Sequence, residues 1–253
     1  MFAIKKIHLL FLVVSILLSA CDKDNPVETD SIKTKANVTG SVSLYDEYGN
    51  KVTNERMMVY LESSTGLSFV GESQKDGSYV VANVAYADNY SIRFEKSGYG
   101  TFKMFGFDHV YTGSTGSIEG PVRLSAKSST YCTSLVTVQK TDTVEFHMVL
   151  EGGDAGESRK IRLLFHTISL LNNEIFSNYT PKLTISGNNQ IVVFTKQQLA
   201  EYGLVSGTIY FVQVYGDSYY SNSYYDEVSQ RFVLPNLGFK TGQSVPTGSF
   251  TMP

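Results

Sequence analysis

Few residues in this sequence combine the types and spacing that catalysis or metal binding requires. The chain has four histidines and two cysteines, and it contains no His-Glu-x-x-His helix motif, no Gly-x-Ser-x-Gly turn and no phosphate-binding glycine loop. Carboxylates fall mostly in turn-like sequences such as Asp46-Glu47 and Asp226-Glu227, and nothing marks two of them as a glycosidase-type pair. The sequence therefore predicts no catalytic residue, no metal site and no cofactor.

One carboxylate and one imidazole are candidates for an acid–base or metal pair. If Leu150 lies opposite Ile161 in a hairpin, strand alternation places Glu145 opposite His166 on the polar face. No third ligand is spaced nearby, and a zinc site needs at least three from the protein. A solvated ion pair is the alternative that we favour. Cys132 stands alone in a strand-like run, which is typical of buried packing rather than of a nucleophile.

Tyrosines are concentrated in residues 215–226, where the sequence reads YGDSYYSNSYYD. Tyrosine offers a large, rigid and amphipathic face at low entropic cost, and binding loops are rich in it. The candidate ligand-binding residues are Tyr219, Tyr220, Tyr224 and Tyr225, with a glycan or a protein as ligand. The alternative is that these rings cover a β-sandwich around a Ser-Asn-Ser turn. Exposure would favour binding, whereas burial would favour a structural role.

The elements that must position these residues are strands. The chain has 42% hydrophobic and 18% charged residues and a net charge of -3, which is an ordinary globular composition without the basic surface that nucleic acid requires. Apolar residues alternate with polar ones in short runs bounded by Gly, Asp, Asn and Ser, a pattern typical of an antiparallel sandwich. Glycines in Tyr48-Gly49-Asn50 and Lys75-Asp76-Gly77 predict tight turns. The fold class is therefore all-β.

An ordered set of turn and strand motifs runs from residue 37 to about 125. The motifs are Gly40-x-Val42, Asp46-Glu47-Tyr48-Gly49-Asn50-Lys51-Val52, Val59-x-Leu61, Lys75-Asp76-Gly77-Ser78-Tyr79, Asn83-Val84, Tyr90-x-Ile92-x-Phe94 and Lys96-x-Gly98-Tyr99. Together they resemble the carboxypeptidase regulatory-like domain, a transthyretin-like sandwich of seven strands. The sequence departs from that family at residues 85–88, where a Pro-Gly turn is common. The resemblance implies that residues 37–126 lack catalytic residues and stabilise, space or present other modules.

Residues 127–253 predict a second, Ig-like antiparallel sandwich that follows the first in tandem. The small polar run 125–129 marks the boundary, and the glycine-rich residues 152–156 predict a hairpin loop. One short helix is expected after Thr195, because Thr195 and Gln198 have the spacing of a capping box and Gly203 suits the left-handed position that ends a helix.

Residues 1–20 have the pattern of a secretory signal peptide. Lys5 and Lys6 precede an apolar run of about 12 residues, too short to cross a bilayer, which takes roughly 20. The following Leu18-Ser19-Ala20-Cys21 resembles a bacterial lipobox. The resemblance implies that Cys21 becomes the lipidated first residue and anchors the chain to a membrane.

The sequence after Cys21 predicts a destination and a tether. Asp22-Lys23-Asp24-Asn25 resembles the export signal of Bacteroidota-type lipoproteins, which implies the outer membrane and its outward face, with the periplasmic face as the alternative. Residues 21–36 are charged and poor in apolar residues, which indicates a flexible tether. Asp30-Ser31-Ile32 resembles an O-glycosylation acceptor of the same bacteria.

These observations predict a non-catalytic outer-membrane lipoprotein rather than an enzyme. We expect a structural, adaptor or presenting module in a cell-envelope assembly, with the membrane and an envelope protein as partners. The alternative is a surface glycan-binding accessory protein that uses the Tyr-rich segment. The absence of Trp, the usual sugar-stacking residue, weighs against the alternative.

Overall fold

The computed structural model describes residues 34–112 and 115–253. The signal peptide, Cys21, the export-like motif and Asp30-Ser31-Ile32 lie outside the described residues. Within the described ranges the chain is nearly all β, which confirms the predicted fold class. Its elements are β1 (Lys35–Tyr45), β2 (Met58–Glu62), β3 (Ser68–Glu72), β4 (Ser78–Ala85), β5 (Ala87–Glu95), β6 (Phe102–His109), β7 (Gly116–Ser125), β8 (Tyr131–Gln139), β9 (Thr143–Glu151), β10 (Arg159–His166), β11 (Asn178–Tyr179), β12 (Leu183–Ile185), β13 (Asn189–Thr195), α1 (Lys196–Glu201), β14 (Ile209–Asp217), β15 (Tyr224–Asp226), β16 (Arg231–Val233) and β17 (Thr247–Thr251).

The first seven strands form two sheets around one core. One sheet has the order β4-β1-β7 and the other has the order β3-β2-β5-β6. The predicted antiparallel pairing holds except between β1 and β7, which run parallel. Alternate residues point inward, and burying each large apolar side chain contributes about 1.5–3 kcal/mol. The buried core comprises Val38, Val42, Leu44, Met57, Val59, Leu61, Tyr79, Val81, Val84, Tyr90, Ile92, Phe94, Ile118 and Leu124.

The two tight turns predicted in this half are present. Gly49 and Gly77 have φ values of 97° and 93°, which a residue with a Cβ rarely adopts. The Asp46 carboxylate accepts hydrogen bonds from the backbone N–H groups of Tyr48 and Asn50 and so closes the first turn. The first strand begins at Lys35, two residues before the predicted start of the sandwich.

The second half contains eight linked strands and a separate hairpin. Strands β8, β9 and β13 pair side by side. Strands β10 and β14 pair with each other, β11 and β12 pair with β10, and β17 pairs with β14. Among the described residues, strand pairing between the two groups is limited to Tyr215 with Tyr131, and side-chain hydrogen bonds between β8 and β17 also connect them. A second hydrophobic core, drawn from residues 132–252, lies within these strands. A third, smaller cluster packs on β10 and β14 and includes Tyr215.

The helix predicted after Thr195 is confirmed, together with its cap. The Thr195 hydroxyl accepts from the backbone N–H of Gln198 at 3.2 Å, and the Gln198 side chain accepts from the Thr195 N–H at 2.9 Å. The buried side chain of Leu199 attaches α1 to the second core. Gly203 has a φ of 86°, as expected for a residue that ends a helix. At six residues α1 is far too short to cross a bilayer, and no other helix occurs in the described ranges.

The predicted β9–β10 hairpin is wrong. Strand β9 pairs with β8 and β13, and β10 pairs with β11, β12 and β14. The glycine-rich residues 152–156 therefore connect two strands that are not paired. Leu150 and Ile161 do share one core, but they reach it from strands with different neighbours. The alternation of apolar and polar residues shows which face of a strand is buried. It is the same for any neighbouring strand, so it does not identify the strand that pairs with it.

Candidate functional site

The Tyr-rich segment lies where the two halves of the molecule meet. Tyr215 is buried on β14, Tyr219 and Tyr220 lie between β14 and β15, and Tyr224 and Tyr225 belong to β15. The backbone N–H of Tyr219 donates to the carbonyl of Glu47 in the first half. Thr34–Pro253 form a single compact unit. The segment therefore connects the two halves, and we call its contact region the junction.

Tyr219 and Tyr220 pack on the first turn of the first half. The Tyr219 ring lies over Gly49, where an added Cβ would come within 2.6 Å of the ring. The Tyr220 ring is 4.8 Å from that of Tyr45 and 5.0 Å from that of Tyr219, measured between centroids. Tyr219 nevertheless keeps 45% of its surface exposed, whereas Tyr220 is half-buried. Both rings thus stabilise the junction, and part of the Tyr219 ring stays exposed to solvent.

Tyr224 points toward the first half and Tyr225 points away from it. The Tyr224 ring is 5.9 Å from Phe102 and 6.4 Å from Phe105, both on β6. Burial raises the pKa of its phenol. Two residues further along β15, the Asp226 carboxylate forms an ion pair with Lys103 of β6 at 3.3 Å. The Tyr225 ring instead packs edge-to-face against Phe232 of β16.

Two buried asparagines hold the centre of the junction. The side-chain amide of the fully buried Asn236 donates to the carbonyls of Ser125 at 3.1 Å and Tyr220 at 2.8 Å. Its amide oxygen accepts from the Gly100 N–H at 3.2 Å. Asn222 bonds both backbone groups of Ser125, at 3.2 Å each. Backbone groups from both halves are therefore satisfied by side chains at the junction, as buried polar groups must be.

The turn that Asp46 closes, which contains the predicted Tyr48-Gly49-Asn50, also contacts the connection between the two halves. The Glu47 carboxylate accepts from the Ser128 hydroxyl at 3.0 Å and from the Ser129 N–H at 2.9 Å. The Tyr48 hydroxyl accepts from the backbone N–H of Asp154. Burial raises the pKa of the Tyr48 phenol, so it stays protonated at neutral pH. The turn thus acts as a docking element between the halves.

A buried ion pair fixes the start of the Tyr-rich segment. Arg162 Nε and Asp217 Oδ2 are 2.5 Å apart, and both side chains are largely removed from solvent. Arg162 also donates to the Thr180 carbonyl and to the Ser221 hydroxyl, and that hydroxyl donates to Asp217. The other Asp217 oxygen accepts from the Ser218 N–H at 2.7 Å. This network shapes the backbone that carries Tyr219 and Tyr220.

The four candidate tyrosines do not form a single binding platform. Tyr219 and Tyr225 are exposed, whereas Tyr220 and Tyr224 are half-buried and packed against the first half. Among the described residues, neither Tyr224 nor Tyr225 makes a ring contact with Tyr219 or Tyr220. Most of the segment therefore packs within the molecule. The two exposed rings, Tyr219 and Tyr225, lie in separate aromatic contacts.

Tyr225 belongs to an aromatic cleft that the sequence did not predict. Tyr225 and Phe232 are 44% and 47% exposed, with ring centroids 5.7 Å apart. The cleft has a volume of about 430 Å³, and its lining also includes Phe176, Tyr179, His166, Glu174, Gln230 and Arg231. Exposed rings beside polar side chains can stack on a sugar and bond its hydroxyls. The sequence does not single out Phe232, because the exposure of its ring is a property of the tertiary structure.

The proposed pairing of Glu145 with His166 does not occur. Glu145 bonds His147, two residues along its own strand, at 2.9 Å, and also forms an ion pair with Lys140. The contact with Lys140 and, to a smaller extent, the one with His147 lower the pKa of the Glu145 carboxyl. His166 instead accepts from the Ile168 N–H. No group of three or more His, Cys, Asp or Glu side chains in residues 34–112 and 115–253 has the geometry of a metal site.

Cys132 is packed in the second core. Its thiol donates to the carbonyl of Ser134 at 3.1 Å, and burial raises its pKa to about 11. The thiol therefore stays protonated at neutral pH, whereas a nucleophilic cysteine requires the thiolate.

Comparison with known proteins finds likenesses only among solved structures. No protein-family model matches the chain, and no curated protein matches it. One structure, described as a "putative carbohydrate binding protein" from Bacteroides uniformis, has 16% identity and a TM-score of 0.31, covering 85% of this chain and 98% of that one. DUF3823 family proteins from Bacteroides ovatus and Parabacteroides merdae have 14% and 7% identity, with TM-scores of 0.28 and 0.26. They cover 73% and 72% of this chain and 91% and 90% of theirs. Scores at this level do not establish a shared fold or function.

Proposed function

We propose that this chain is a non-catalytic lipoprotein of the outer membrane, anchored through Cys21 and facing outward. It would act as a structural or adaptor module in a cell-envelope assembly. The observation that supports this proposal is the junction, in which Asn222, Asn236 and Glu47 tie the two halves together through buried hydrogen bonds. A body in which both halves move together can hold a partner at a defined distance and orientation, which is what a spacer or adaptor requires.

Site-specific crosslinking in a Bacteroidota host tests this function. A photoreactive amino acid at Val228, which is 86% exposed, should give a discrete crosslink to an envelope protein in intact cells. Cys21→Ser should move the chain out of the membrane fraction and abolish that crosslink, because two or more acyl chains are needed for stable anchoring. A second reporter at the exposed Leu170 samples another surface. A membrane-anchored wild-type chain that crosslinks to nothing from either position would contradict the adaptor role.

Surface glycan binding is a second candidate, supported by the cleft around Tyr225 and Phe232. The two exposed rings offer apolar faces, and Gln230, Arg231 and Glu174 supply donors and acceptors around them. Apart from Tyr225, the tyrosines first considered for binding are engaged at the junction. The glycan hypothesis therefore now depends on this cleft rather than on the whole Tyr-rich segment.

Retention of the full-length chain, in mild detergent, on immobilised polysaccharides and mucin glycans tests the second candidate. Tyr225→Ala and Phe232→Ala should each weaken retention by about tenfold, because truncating a central aromatic contact costs on the order of 1–2 kcal/mol. Tyr111→Ala removes an exposed ring of the first half and should leave retention unchanged. Equal retention of all three variants, or none by a folded wild-type chain, would rule out this cleft as a glycan site.

A further inference from the structure

A second cleft lies at one end of the second half. It has a volume of about 580 Å³ and is formed by the glycine-rich connection between β9 and β10 together with residues 186–188. It shares no lining residue with the cleft around Tyr225. Gly152, Gly153 and Gly156 all have positive φ values. The backbone therefore passes close to the cleft floor and places no large side chain over it.

The floor of this cleft contains a buried arginine without a counter-ion. Arg159, the first residue of β10, is 7% exposed and lines the cleft. Its Nε and Nη1 are out of reach of solvent and have no hydrogen-bond partner, which leaves Nη2 to meet the cleft. Within the described ranges it forms no ion pair, although Glu151 and Glu157 line the same cleft. A buried charge without a partner is costly and calls for an explanation.

A second unpartnered group lies beside the guanidinium. The hydroxyl of Thr130 is buried and has no hydrogen-bond partner. A Cβ built on Gly153 would lie 3.0 Å from both Arg159 Nε and Thr130 Oγ1, and 3.2 Å from the Tyr48 hydroxyl oxygen. Three polar groups thus surround Gly153, where a side chain would crowd them. The contrast with Arg162 is informative, since that arginine is equally buried but fully paired.

We propose that this cleft binds a small ligand with one carboxylate and several hydroxyl groups, the chemistry of a uronic-acid sugar. The guanidinium is a permanent cation, and a carboxylate that accepts a hydrogen bond from Nη2, the nitrogen left open to the cleft, supplies the missing counter-ion. Glu151 and Glu157 repel a multiply charged anion but accept hydrogen bonds from hydroxyl groups. The volume is typical of small-ligand clefts and accommodates more than one sugar ring.

Calorimetric titration of the full-length chain in mild detergent tests the proposal. Glucuronate and a neutral oligosaccharide that ends in a single glucuronate should bind, and their comparison distinguishes a free sugar acid from a chain end. Glucose, which lacks the carboxylate, and inorganic sulfate, which is a dianion, should both bind more weakly than glucuronate. Arg159→Met should weaken uronate binding by about tenfold or more, because it removes the positive charge and the Nη2 donor. Lys160→Met removes the same charge from the next residue and should leave binding intact.

Stability separates a binding role of Arg159 from a structural one. Arg159→Met should melt no lower than the wild-type chain, since it removes an unpaired buried charge. Asn188→Asp, at an exposed lining position, adds a negative charge without disturbing the core and should also weaken uronate binding. Absence of uronate binding by the wild-type chain would overturn the proposal. So would equal binding of sulfate or glucose, or a large drop in the melting temperature of Arg159→Met without any change in binding.

Discussion

Replacement of Asp217 by alanine is expected to lower the free energy of unfolding by about 3–5 kcal/mol. The change leaves the guanidinium of Arg162 charged and buried without its carboxylate. It also removes the acceptor of the Ser218 N–H and of the Ser221 hydroxyl. The loss therefore reaches beyond one ion pair to the backbone that carries Tyr219 and Tyr220.

Urea unfolding followed by tyrosine fluorescence measures this effect, and the absence of Trp makes the tyrosine signal direct. Asp88→Ala, at an exposed carboxylate of β5, is the matched control and should change stability little. The double variant Arg162→Met with Asp217→Leu should recover much of the loss, because replacing both charges removes the uncompensated one. A loss below about 1 kcal/mol for Asp217→Ala would mean that Arg162 finds other compensation.

Asn236→Ala is expected to lower the free energy of unfolding by about 3 kcal/mol, because it leaves several buried backbone groups unsatisfied. The Gly100 N–H loses its acceptor, and the carbonyls of Ser125 and Tyr220 lose a donor. Gly100 approaches so closely that an added Cβ would lie 2.6 Å from the Asn236 side-chain oxygen. The Gly100 backbone therefore packs directly against the Asn236 amide that accepts its hydrogen bond.

The same unfolding measurement applies to Asn236→Ala, with Asn189→Ala as the control. Asn189 is exposed on β13, so its truncation should have little effect. Because Asn236 bonds groups from both halves, we also expect its loss to broaden the transition as the halves become less tightly coupled. A variant as stable and as cooperative as the wild-type chain would argue against the junction as the feature that unites the halves, and so against the adaptor proposal.

Local features of this protein could be predicted from the sequence because neighbouring residues determine them. Alternation between apolar and polar residues predicted an all-β chain, and both tight turns form where Gly49 and Gly77 supply positive φ. The capping box of Thr195 and Gln198 forms as predicted. Each of these features depends on dihedral angles or hydrogen bonds within a few residues, so no distant part of the chain has to be known.

The candidate sites depended on partners that are distant in sequence. The sequence singled out the tyrosines at 219–225 but could not show that Tyr224 would meet Phe102 or that Tyr225 would meet Phe232. It gave no indication that Asn236 lies at the junction. A charged residue within an apolar strand, as at Arg162, is a usable sign of a buried pair, but the partner Asp217 lies 55 positions away.

By itself the sequence determined the strand-forming pattern, the turns, the helix cap and the lack of catalytic motifs. The lipid anchor at Cys21 and the regulatory-like resemblance stay predictions. Only the tertiary structure decided that β9 pairs with β8 and β13, that most of the Tyr-rich segment packs at a junction, and that Arg159 is buried without a partner. The physical reason is that alternation marks which face of a strand is buried but not what it is buried against, and that choice is made by packing across the whole molecule.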